Sequence, residues 1–145
     1  MIQLVVDSTA AVPKDFLEQH ANVHVIPLFI SVKGEYVPEN EATIEQVIEY
    51  SESTKKAVPT SQPSTGDFLK LFESLPKEDP VIVICITSGV SGTYNGAVLA
   101  ARQSGRKQIA VINSRTTAVG MMEVLEDGLD MIEKGLSFEE ISKGL

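Results

Sequence analysis

The 145 residues include one cysteine, Cys85, and no tryptophan. A lone thiol excludes an intrachain disulfide and a cysteine-built metal site. Cations are scarce: 12 Lys and Arg stand against 20 Asp and Glu, a formal net charge of −8. That deficit argues against nucleic acid, where affinity comes from cations neutralising phosphates. It argues equally against an anionic membrane surface. Long apolar runs are missing too. The longest, Val81 to Ile86, has six residues, whereas a membrane-spanning helix needs about 20. Met1 to Asp7 shows no basic segment and no apolar stretch of signal-peptide length. These absences predict a cytoplasmic protein without a transmembrane segment.

The common catalytic signatures are also missing. Gly89-Val90-Ser91-Gly92-Thr93 approaches the G-x-S-x-G elbow but ends on Thr93. Both histidines, His20 and His24, precede Ser91, so the Ser-then-His order of that hydrolase fold is absent. No Gly-Lys-Ser/Thr, G-x-G-x-x-G or H-E-x-x-H occurs. His20 and His24 stand four apart, but Asn22 and Pro27 break a helix through both, so they read as ordinary histidines rather than zinc ligands. Cys85, in the most apolar segment, reads as an inert core residue. No metal or cofactor is expected.

What is present is ordinary globular composition, 43% hydrophobic and 22% charged, enough for one core in a chain of this length. Ile2–Val6, Val23–Ile30, Val81–Ile86 and Ile109–Ile112 read as strands, the second disturbed by Pro27. Ser31 to Val37 reads as a short extension, and Ser51 to Gly66, with seven Ser or Thr and two Pro, as one long loop. Helices are expected after Pro13 and Thr43, over Gly66–Leu75, after Thr93 and after Ser137. Ala118, Met122, Leu125, Leu129 and Ile132 form a stripe for one more helix. Alternating strands and helices predict a three-layer α/β/α domain with a mostly parallel sheet over residues 1–145. Ligands of such sheets bind outside the carboxyl ends of the strands. Asp7-Ser8-Thr9, Thr87 to Thr93 and Asn113 to Thr117 should therefore gather on one edge.

The glycine- and hydroxyl-rich run Thr87 to Thr93, between strand and helix, suits an anion at a helix N-terminus. It equally suits a capped helix after a tight turn. Val58 to Ser64, stiffened by Pro59 and Pro63, offers uncharged donors at Thr60 and Ser61, or simply a capped turn into the next helix.

Four segments in this order resemble the DegV family of bacterial lipid-binding proteins: Asp7-Ser8-Thr9-Ala10, Val25-Ile26-Pro27-Leu28, Thr60-Ser61-Gln62-Pro63-Ser64 and Ile86 to Tyr94, continued by Asn113-Ser114 and Gly120. The resemblance implies a carrier of one long-chain fatty acid that presents it to an ATP-using fatty-acid kinase subunit for acyl-phosphate formation. It implies that Thr60 and Ser91 hold the carboxylate, with Ser61, the Gly92 N–H and Thr93 beside them, and that the apolar sheet supplies a slot for the tail. Two positions depart from the family pattern: Asn113 stands where Asp is usual and Gly96 where a larger or hydroxyl residue is common. The resemblance is to the N-terminal domain only, and it implies that the family's C-terminal domain, the source of a His and an Arg at the carboxylate, is absent from this chain. Two other readings compete: a phosphotransfer or hydrolase domain using the Ser91 loop as an anion hole, and a half that acts only by association. A surface normally covered by a second domain predicts a homodimer, with Met121, Met122, Val124, Met131 and Phe138 as its apolar face.

Overall fold

Short β-branched runs separated by capped helices give thirteen regular elements in the computed structural model, which describes residues 1–145. The order is β1 (Gln3–Asp7), α1 (Lys14–Gln19), β2 (Val23–Ile26), β3 (Phe29–Ser31), β4 (Tyr36–Pro38), α2 (Ile44–Thr54) and β5 (Thr60–Ser61). It continues with α3 (Thr65–Ser74), β6 (Val81–Cys85), α4 (Thr93–Gln103), β7 (Ile109–Asn113), α5 (Val119–Glu133) and α6 (Phe138–Gly144). Four strands form a parallel sheet in the order β2-β1-β6-β7.

The alternation of side chains along β1 and β6 builds the three layers. Leu4, Val6, Ile82 and Ile84 face one way, under Met121, Leu125 and Leu129 of α5 and Ile141 of α6. Val5, Val81, Val83 and Cys85 face the other, under Phe68 and Phe72 of α3 and Ala97 and Ala100 of α4. Every residue of β1 and β6 is buried, as strands covered on both faces must be. Helix starts carry their caps: Thr43 with Gln46, Ser64 with Asp67 and Ser137 with Glu140 each form a capping box.

Several sequence expectations are corrected. Val23–Ile30 is two strands in two sheets. Pro27, which lacks an N–H, and Leu28 separate β2, on the parallel sheet, from β3, which leads a second sheet of order β4-β3-β5. That antiparallel sheet absorbs the expected extension near Val37 and the middle of the expected loop: α2 runs to Thr54, and Thr60 and Ser61 pair with Ile30 and Phe29. The α5 stripe turns on Met121, Leu125 and Leu129; Ala118 lies outside the helix with φ 49°. The expected uncovered face is not there. Met121 is buried, and Met122, Val124, Met131 and Phe138 pack on the core. Exposed apolar side chains lie elsewhere, at Ile44 and Ile48 of α2, at Val90 and at Val119.

Candidate ligand-binding site

The chain crosses from β1 to β2 on one side and then returns to β6 and β7 on the other, so the strand order reverses between β1 and β6. At such a reversal the connecting loops part and leave a crevice at the carboxyl ends. Asp7 closes the end of β1 there. Its carboxylate accepts the Ile86 N–H across the reversal at 2.6 Å, the Thr9 N–H at 3.1 Å and the Thr9 hydroxyl. Burial pushes this carboxyl above its usual value, the hydrogen bonds from Thr9 and Ile86 oppose that, and the charge of Glu39 adds to it. Ser8 ties this point to the smaller sheet: its hydroxyl donates to Glu39 Oε2 at 2.6 Å and accepts the Leu28 N–H at 2.8 Å.

The Thr87–Thr93 turn follows β6. The Val90 and Ser91 N–H groups donate to Thr87 O at 3.2 and 3.3 Å. Ser91 Oγ accepts the Thr93 N–H at 3.2 Å and lies 2.8 Å from Thr93 Oγ1. Thr93 is buried, whereas Ser91 and Gly92 remain half-exposed. Asn113, at the end of β7, closes the third side: its amide donates to Ser88 Oγ at 2.7 Å and its oxygen accepts the Ser88 N–H at 3.2 Å. An aspartate there could not donate to that hydroxyl. The three polar clusters thus share one edge, as the topology required. Three of the four non-glycine residues with positive φ, Ala11, Arg115 and Ala118, lie in loops of the same edge. Such backbone strain concentrates at functional sites.

Thr60 and Ser61 lie exposed on β5. The next residue, Gln62, seats its side-chain amide directly on Gly92, where a Cβ would collide with Oε1. The structure therefore brings the Thr60-Ser61 segment to the Ser91-Gly92-Thr93 turn, and Gln62, which the sequence reading left without a role, makes the contact. The only signal for it was its place inside the Thr60–Ser64 segment.

The sheet offers no slot for a tail, because helices cover both of its faces. A cleft of about 610 Å³ lies at the opposite end, among Glu73, Lys77, Glu78, Asp79, Arg106 and Lys107, a charged lining. Cys85 is a core thiol, pushed up by burial and by the charge of Asp7. His24 is held down by burial and bonds Gln3 Oε1 at 2.8 Å, and His20 stacks on Phe16.

Hydroxyl and amide groups thus converge where the parallel sheet reverses its strand order, the place at which open α/β sheets commonly bind small molecules. The chain belongs to the DegV family, whose model, described as an uncharacterised protein of that family, matches residues 1–145. A DegV domain-containing protein of Staphylococcus aureus (strain COL) is 36% identical over 144 residues, covering 98% of this chain and 50% of that protein. The crystal structure of DegV from Bacillus subtilis, a fatty acid binding protein, superposes with a TM-score of 0.88 at 31% identity, over 99% of this chain and 51% of that one. A stearic acid-binding protein from Eubacterium ventriosum does so with a TM-score of 0.87 at 30% identity, over 99% and 51%. The chain thus spans about half the length of these relatives. No helix is long and apolar enough to cross a membrane.

Proposed function

We propose that this chain is a non-catalytic lipid-binding module that holds a long-chain fatty acid by its carboxylate at the carboxyl edge of the parallel sheet. The observation that carries the reading is the seating of Gln62 on Gly92, which joins the two hydroxyl-bearing segments. Thr60, Ser61 and Ser91 hydroxyls and the Gly92 N–H bind the carboxylate, and Thr93 fixes Ser91. Neutral donors at a helix start suit a carboxylate, since hydrogen bonds to a charged acceptor are the strong ones. The tail crosses the exposed Val90 and Val119 at the same edge and takes its remaining wall from a second protein surface. Fatty-acid-binding relatives of the same fold support the ligand class.

Presentation of the acid to an ATP-using kinase subunit, and two-fold self-association of this half, belong to the same reading. Light scattering over a concentration series tests the second, and co-purification with such a kinase tests the first. Extraction of the purified chain followed by mass spectrometry tests the ligand. A bound C14–C18 acid is the expected result. A phosphorylated or hydrolysed product after incubation would favour the phosphotransfer or hydrolase reading, and an empty chain the reading of a half that only associates.

A further inference from the structure

Strand β5 is two residues long and pairs only with β3 of the smaller sheet. No ladder of the parallel sheet fixes where its hydroxyls stand relative to α4. Gln62 does. Built on Gly92, a Cβ would overlap Gln62 Oε1 and come within 3.1 Å of Cδ and 3.3 Å of Nε2, so the whole amide stands over the bare backbone. One helical turn on, a Cβ at Gly96 would meet Nε2 at 3.5 Å and Pro63 O at 3.8 Å, ordinary contact distances. Pro63, next in the chain, is buried. Gly92 must therefore be bare for Gln62 to sit down, and Gly96 need not be.

We propose that Gln62 is a positioning residue, whose seat on Gly92 sets the Thr60 and Ser61 hydroxyls against the Ser91–Thr93 turn so that both segments serve one head group. This rests on the fatty-acid reading above. Alanine at position 92 keeps the N–H, so its effect reports the displaced amide. Gln62 is exposed and free to swing away, so stability changes little while head-group recognition falls.

Stearic acid and the matching alcohol are titrated against the wild type, Gln62→Ala, Gly92→Ala, Gly96→Ala and the Gln62→Ala/Gly92→Ala double variant, with thermal melts on the same samples. Gln62→Ala and Gly92→Ala should each weaken the acid about tenfold, the size of one well-placed hydrogen bond to a charged group. The double variant should be no weaker than either single one. Gly96→Ala should match the wild type, and alcohol binding should not change. Acid binding by Gln62→Ala equal to the wild type, or losses that multiply in the double variant, would overturn the proposal. Failure of the wild type to bind any acid would instead overturn the fatty-acid reading. The seat is then read without ligand, by amide exchange at Ser31, which donates to Pro59 O beside β5. Faster exchange in Gln62→Ala supports the seat, and unchanged exchange refutes it.

Discussion

Asp7 has no cation to balance it and sits at 0% exposure, with three donors aimed at its carboxylate. Desolvation outweighs those donors and raises its folded pKa above the ordinary 3.8. Its contribution to stability is then fully present below the unfolded value and is lost as pH rises through the folded one. Asp7→Asn removes that titration and turns one N–H of Thr9 or Ile86 toward an amide donor, a cost of about 1–3 kcal/mol. In urea melts the advantage of the wild type over Asp7→Asn should shrink as pH rises from 4 to 7; a flat difference would refute the assignment. Under the proposed reading, Ser91 carries both roles that the sequence set as alternatives. Its hydroxyl holds the buried Thr93 and stands half-exposed at the site. Ser91→Ala should therefore cost about 1 kcal/mol of stability and also about 1–3 kcal/mol of acid binding. Melts and titrations on one sample read both, and loss of stability alone would leave Ser91 as a cap.

Among the elements, β6 and α3 were legible because their patterns leave one reading. Six apolar residues in a row must be covered twice, and Phe68 and Phe72 stand four apart on a helix. The smaller sheet was not legible. Its strands have two or three residues, too short for period-2 alternation to show, and β5 pairs with β3 across 30 positions, Thr60 against Ile30, a span that no local signal bridges. Arg106 was silent for the same reason. Its guanidinium donates to the carbonyls of Phe72, Leu75, Pro76 and Asp79 at 2.6, 2.7, 2.9 and 3.1 Å, closing the end of α3. Arg106→Lys keeps the charge but loses the fork, and should lower stability by about 1–3 kcal/mol in denaturant melts; an unchanged midpoint would show the carbonyls are solvated instead. The contrast between helices is sharper. Phe72 is 1% exposed and Ile48 of α2 is 50% exposed. Phe72→Ala should cost about 3–5 kcal/mol, whereas Ile48→Lys should stay within about 0.5 kcal/mol. A large loss from Ile48→Lys would mean that α2 is covered by another copy of the chain in solution.

For the molecule as a whole, the edge that gathers the polar clusters was legible from the alternation of strands and helices, whereas the join between the Thr60 and Ser91 segments was not. The Thr60 and Ser91 segments lie about 30 residues apart in sequence and meet through one glutamine and one glycine, beside the neighbouring helices α3 and α4. With a net charge of −8, the proposed binding of a carboxylate rests on local donors rather than on the overall field. Titration of stearic acid into the purified chain, read beside the Ser91→Ala variant, tests the fatty-acid assignment most directly. Saturable binding of one acid per chain, weakened about tenfold or more in Ser91→Ala, is the predicted result. No saturable binding, or binding that Ser91→Ala leaves untouched, would contradict it.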